Sequence, residues 1–140
     1  MKSQLFATAF IFGFVISFAA AGVQSVGVHG SINCDGEVAA NIRLELWDKD
    51  RLDPDDLMAN TTTGKTGNFY IKGKESEVTT IDPELRIFHK CGVETAKCYK
   101  QTIIEIPDEF ITDGAEPKNF YDAGNINLRI LPNTESKYCD

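Results

Sequence analysis

The sequence is poor in the residues that most catalytic chemistry needs. It holds two histidines, His29 and His89, and a single tryptophan, Trp47. There is no HExxH pattern and no close pair of ligand side chains, so zinc has no visible frame. No serine sits in a nucleophile-elbow context. Basic residues are scarce: 14 Lys+Arg stand against 21 Asp+Glu, for a net charge of −7. A net-negative chain without a basic block suits a phosphate backbone poorly, which excludes nucleic acid as the expected partner. Repeats, linkers and low-complexity blocks are lacking. Beyond residue 21 no apolar run is long enough to span a bilayer, so no transmembrane segment is expected there.

What is present begins with an export pattern. Met1-Lys2-Ser3-Gln4 is a short n-region with one positive side chain, and Leu5 to Ala21 is almost wholly apolar. Ala19-Ala20-Ala21 supplies the small residues that a signal peptidase reads. Residues 1–21 are therefore expected to be a signal peptide and residues 22–140 the domain of a secreted, extracellular protein. The leader carries one base and no acid, so the mature net charge moves from −7 to −8. A chain of 140 residues is one domain's worth, long enough to bury a core.

Four cysteines follow the leader, Cys34, Cys91, Cys98 and Cys139. An even count in a short exported chain predicts two disulfides and no free thiol for catalysis. Three connectivities are open. The short sequence gap favours Cys91 with Cys98, which leaves Cys34 for Cys139.

Alternating polarity predicts strands. Val26, Val28, Ile32 and Cys34 share one parity, and Asp35-Gly36 is a turn signal. Ile42, Leu44 and Leu46 alternate with Arg43, Glu45 and Trp47. Leu57-Met58-Ala59 reads as a short strand. Phe69 and Ile71 flank Tyr70, and Leu85-Arg86-Ile87-Phe88-His89 alternates again. Lys100 to Ile106 is β-branched, and Ile126, Leu128 and Ile130 give the last clear strand. Ile42, Leu44, Leu46, Ile71, Leu85, Ile87 and Leu128 are expected to face inward. Short helices are expected only near Thr79–Leu85 or Pro107–Thr112, and the tail from Pro132 is expected to be held by Cys139 alone. Seven or more antiparallel strands with turns between them predict an all-β, two-sheet β-sandwich.

The most conspicuous chemistry lies between residues 48 and 56. Asp48, Asp50, Asp53, Asp55 and Asp56 are hard oxygen donors, yet the spacing lacks the central glycine and closing glutamate of an EF-hand. Three readings stand: a solvated connection that keeps a sheet edge soluble, a protein-contact surface together with Trp47, or a calcium loop. No metal site and no cofactor are assigned. Lys65, Lys72 and Lys74 cluster in sequence and offer local positive potential to an anionic lipid headgroup. Asn60-Thr61-Thr62 is an N-glycosylation acceptor, expected on a loop. Trp47, Tyr70 and Phe88 share the parity opposite their strands' aliphatic residues, as a second packed face or a contact patch would. His29 has outward parity in its strand, and His89 has inward parity with a structural role.

Taken in order, these residues resemble the nematode transthyretin-like proteins. The resemblance runs through Val28-His29-Gly30-Ser31-Ile32-Asn33-Cys34-Asp35-Gly36, Leu44-Glu45-Leu46-Trp47-Asp48-Lys49-Asp50 and Asp55-Asp56-Leu57-Met58. It continues in Gly67-Asn68-Phe69, Gly73 and the telling stretch from Ile81 to Cys91. Cys98, Ile106-Pro107, Tyr121-Asp122-Ala123-Gly124 and Cys139 complete it. The resemblance implies a transthyretin-like (prealbumin-like) sandwich secreted by worm cells, in a family whose members mostly have no defined activity. Some members resemble adaptors that bridge phosphatidylserine on dying cells to a phagocyte receptor.

The related 5-hydroxyisourate hydrolases use an early histidine, which His29 matches, with a late histidine and a C-terminal Tyr-Arg-Gly-Ser. Here His89 is the last histidine, and the chain ends Glu135-Ser136-Lys137-Tyr138-Cys139-Asp140. The channel side chains of the hormone carrier transthyretin are not matched either. The expectation is a non-enzymatic extracellular binding protein, its partner an extracellular or cell-surface protein. The alternatives are phosphatidylserine bridging or carriage of a small hydrophobic ligand.

Overall fold

The computed structural model describes residues 22–140; the signal peptide assigned to residues 1–21 lies outside the described residues. Among the described residues ten strands form two facing sheets: β1 Gly22–Cys34, β2 Glu37–Val38, β3 Arg43–Asp48, β4 Asp56–Thr62, β5 Asn68–Glu77, β6 Pro83–His89, β7 Cys98–Glu105, β8 Thr112–Asp113, β9 Tyr121–Asn127 and β10 Thr134–Cys139. The first sheet is built on β1, which pairs with β2, β5, β8 and β9. The second is a five-strand antiparallel sheet in the order β10-β7-β6-β3-β4. An all-β two-sheet sandwich is what the alternating pattern predicts.

The period of two is kept wherever both sheets press on one core. Val26, Val28 and Ile32 of β1 and Phe69 and Ile71 of β5 meet Leu44, Leu46, Leu85 and Ile87 of β3 and β6. Leu128 closes one end and is buried. Ile42, just ahead of β3, packs against the edge of this core and is half-buried. Asp35 and Gly36 both take positive φ, 53° and 90°, and join β1 to β2 in the two-residue turn that an Asp-Gly pair favours.

Several local expectations are corrected. The sandwich is not wholly antiparallel: β9 runs parallel to β1, pairing Ile32 with Ile126. The last strand read from the sequence is shorter than expected: β9 ends at Asn127, so Leu128 and Ile130 lie beyond it and Ile130 is exposed. The tail is not pinned by Cys139 alone. Thr134–Cys139 forms the edge strand β10 against β7, and Tyr138 packs edge-on to Phe88 at 4.8 Å between ring centres. The window Thr79–Leu85 enters strand β6, and the other helical window gives one 3-10 turn at Asp108–Phe110.

The four cysteines form two bonds, but not the expected ones. Cys34 joins Cys91, and Cys98 joins Cys139. Strand register decides this rather than sequence distance. Cys139 lies directly across from Cys98 in the β10–β7 ladder. Cys91 follows β6 in the second sheet and meets the end of β1 in the first. Among the described residues no free cysteine is left, and no helix is long and apolar enough to cross a membrane.

Candidate functional site

Two regions gather chemistry: the outer face of the second sheet, and one open end of the sandwich.

On the outer face, the odd-numbered residues of β3 and the even-numbered residues of β6 point away from the core, yet two are carboxylates buried almost completely. Glu45 is 1% exposed and Glu84 4% exposed. A charge removed from water must be paired and hydrogen-bonded. Glu45 accepts from Arg43 Nε at 2.7 Å, from the Trp47 indole N–H at 2.9 Å and from the Tyr138 hydroxyl at 3.4 Å. Glu84 accepts from Arg86, which also binds Asp55 at 2.6 Å. The Arg86 guanidinium lies 4.4 Å from the Trp47 ring centre, and Arg43 lies over Tyr138. Arg43, Trp47, Arg86 and Tyr138 therefore form a pinned aromatic and arginine layer over two buried acids. Exposed Leu57 and Ile103 flank it, through the register Trp47–Leu57 and Arg86–Ile103.

Asn60, expected on a loop, instead lies in edge strand β4, opposite Glu45 and solvent-exposed. Phe88, on the same face, is buried beneath Tyr138.

The acidic segment does not act as one surface. Asp55 turns to Arg86, which holds its carboxyl below the usual range. It also accepts the Asp50 backbone N–H at 3.0 Å. Asp53 stays exposed. Asp48, Asp50 and Asp56 converge instead with Glu77, which sequence reasoning missed because it ends β5 in the other sheet. One carboxylate oxygen from each of the four lies within 4.8 Å of the others. Gly73 permits this approach: a Cβ there would meet Met58 Cβ of β4 at 2.7 Å, so only glycine lets β5 close against β4.

Asp48 is 1% exposed. Its Oδ1 accepts the Asp82 N–H at 2.8 Å, whereas its Oδ2 is buried without a partner. Burial, then the neighbouring carboxylates, Asp48 foremost, push Asp50 up to about 6. Burial, then Asp50, Asp48 and Asp56, push Glu77 up to about 7.

His89 carries the opposite shift. It is 1% exposed, its Nδ1 accepts the Cys91 N–H at 3.1 Å, and its Nε2 then donates to Thr102 Oγ1 at 2.9 Å. Burial, with Lys100 nearby, lowers it to about 4, so it is a neutral structural group, as its parity implies. A pH dependence follows. A carboxyl raised on folding binds protons more tightly in the native state, so stability grows as pH falls through its native value. Histidine lowered on folding costs stability below about 6.5, its ordinary value. Two raised carboxyls outweigh the one lowered histidine, so in metal-free buffer the melting temperature is expected to rise as pH falls from 8 toward about 5. Thermal melts of Glu77→Gln should lose the rising limb; an unchanged limb would place its origin elsewhere.

The three lysines are not gathered. Lys65 sits exposed in the turn before β5, whereas Lys72 and Lys74 lie on the outer face of β5. Lys72 is bonded to Glu116 at 2.6 Å. On that same face His29 lies 3.7 Å from Asp122 and tilts against Phe120, which stacks on Tyr70 at 5.0 Å. His89 is buried in the other sheet, so His29 has no second histidine beside it.

The described residues thus form a two-sheet β-sandwich tied by two disulfides, and comparison with known proteins gives its family. Residues 29–107 match the Transthyretin-like family model. Transthyretin-like protein 5 of Caenorhabditis elegans is 45% identical over 80% of this chain and 82% of its own length. Transthyretin-like protein 33 of the same worm is 40% identical over 83% and 82%, and transthyretin-like protein 46 is 36% identical over 77% and 62%. The chain belongs to the nematode transthyretin-like family. A solved 9R-lipoxygenase chain from Cyanothece aligns with 75% of this chain and 16% of its own at 21% identity and a TM-score of 0.43, too remote to bear on fold or function.

Proposed function

We propose that the protein is a secreted, non-enzymatic binding protein that recognises an extracellular or cell-surface protein through the outer face of its second sheet. Family membership supports an extracellular binding role. The observation that carries the choice of surface is the Arg43–Trp47–Arg86–Tyr138 layer. Tryptophan, tyrosine and arginine are the side chains that dominate the energetics of protein interfaces. Here they are held in place by Glu45 and Glu84, so little side-chain entropy remains to be lost on binding. Tyr138 within the layer and Ile103 beside it remain 46% and 45% exposed and offer apolar contact area. A glycan on Asn60 bounds the face on its β4 side and shields the open edge of that strand.

The test is a binding screen of the mature protein against purified secreted and cell-surface ectodomains, repeated with Tyr138→Ala and Ile103→Glu. Loss of at least tenfold in affinity for a captured ectodomain supports the reading. Retained binding in both variants sinks it. Sedimentation with phosphatidylserine liposomes that is lost when Lys65, Lys72 and Lys74 become glutamine would shift the function to the lipid-bridging alternative. Robust hydrolysis of 5-hydroxyisourate abolished by His29→Ala would overturn the non-enzymatic part.

A further inference from the structure

We propose that Asp48, Asp50, Asp56 and Glu77 form a calcium site at the acidic end of the sandwich, tying the β3–β4 end of the second sheet to the end of β5 in the first. The proposal does not rest on the partner-binding face. Its donors come from three strands and one loop in two sheets: Asp48 ends β3, Asp56 opens β4, Asp50 lies between them and Glu77 ends β5. Four carboxylates facing one another across two sheets repel, and the fold brings them together all the same, with glycine at residue 73 to let the sheets close.

The second observation is the orphaned oxygen. Asp48 is 1% exposed, its Oδ1 is committed to the Asp82 N–H, and its buried Oδ2 has no hydrogen-bond partner. A buried carboxylate oxygen without a donor costs free energy unless a cation or proton answers it. Among the described residues no arginine or lysine is ion-paired with any of the four, and Arg86 is engaged by Glu84 and Asp55.

The donor chemistry selects the ion. All four donors are carboxylates, with no imidazole or thiolate, which suits a hard cation and not zinc or copper. Oxygens on opposite sides of calcium lie about 4.6–5.2 Å apart, given Ca–O lengths of about 2.3–2.6 Å, whereas magnesium draws them to about 4 Å. Four donor oxygens all within 4.8 Å of one another can share one calcium sphere. Exposed edges of Asp50, Asp56 and Glu77 leave room for water to complete the coordination.

The experiment uses the chelator-stripped mature protein, titrated with calcium chloride by calorimetry and melted with and without 10 mM calcium. One ion per chain is expected, with a dissociation constant of roughly 0.1–1 mM, as in extracellular modules, and a rise in melting temperature of about 5 °C. Asp50→Asn and Glu77→Gln should each weaken binding at least tenfold. Asp53→Asn, in the same segment but outside the cluster, should leave it unchanged. Terbium luminescence excited through Trp47, the residue before Asp48, gives a second readout that needs no variant. Absence of binding at 10 mM calcium overturns the proposal. So does an equal thermal shift with magnesium, which would mean charge screening, or an equal loss in Asp53→Asn, which would mean diffuse attraction.

Discussion

Replacing Cys34 and Cys91 together by alanine is expected to lower the melting temperature by on the order of 15 °C. The same change at Cys98 and Cys139 should lower the main transition by less than half as much. Chain entropy alone does not separate the two. The bonds span 57 and 41 residues, and loops of these lengths correspond to about 4 kcal/mol each. At about 4 °C per kcal/mol for a domain of this size, that gives the first figure.

The difference lies in what each bond holds. Cys34–Cys91 crosses between sheets, from the end of β1 to the segment after β6. Without it, both halves of the core are freed in the unfolded chain at once. Cys98–Cys139 lies within one sheet and fastens β10, a terminal edge strand whose residues are mostly exposed. That strand can leave β7 locally while the core stays folded. Hydrogen exchange should then show loss of protection in β10 and β7 well below the main melt. Equal drops for the two pairs, with no local opening of β10, would contradict this account.

The disulfides also mark where the sequence was readable and where it was not. An apolar inner face against a polar outer one leaves a period of two, so Leu44, Leu46, Leu85 and Ile87 were legible as core. The existence of two bonds was legible from the even count and the export pattern. Their pairing was not, because it depends on the β10–β7 register, and Thr134–Cys139 shows no apolar alternation to announce a strand. The parallel pairing of β9 with β1 leaves no local mark either.

The candidate sites follow the same division. Asp48, Asp50 and Asp56 were visible as an acidic run, and Trp47 as an aromatic on the outward parity. Glu77 was invisible, since its only link to them is the contact between sheets that Gly73 permits. The near-complete burial of Glu45 and Glu84 contradicts what charge and parity suggest, and only the arginines and aromatics lying over them explain it.

Those buried acids lead to the second large effect. Arg86→Met is expected to destabilise the protein by about 3 kcal/mol, at the lower end of what breaking a buried ion pair costs. Methionine fills a similar volume and preserves apolar contact with Trp47. The loss therefore comes from Glu84, 4% exposed and left without its cation. If that is the cause, Glu84→Gln combined with Arg86→Met should recover much of it, which a double-mutant cycle measures directly. Additive losses would mean that the pair is not the determinant. Arg86→Lys should fall between, because lysine keeps the charge but loses the planar fork that reaches Glu84 and Asp55 together and the stacking on Trp47. The substitution should also be felt at the end of the sandwich. Arg86 holds Asp55, and Asp55 accepts the Asp50 N–H, so the loop that carries Asp50 to Glu77 is anchored through this arginine. Freed from it, Asp50 is positioned less well, and calcium affinity should fall in Arg86→Met although Arg86 itself is no ligand. Trp47 fluorescence, which senses the guanidinium above its ring, reports the same loss in one cuvette. A changed emission with unchanged calcium affinity would show that the face and the acidic end are not linked through Asp55.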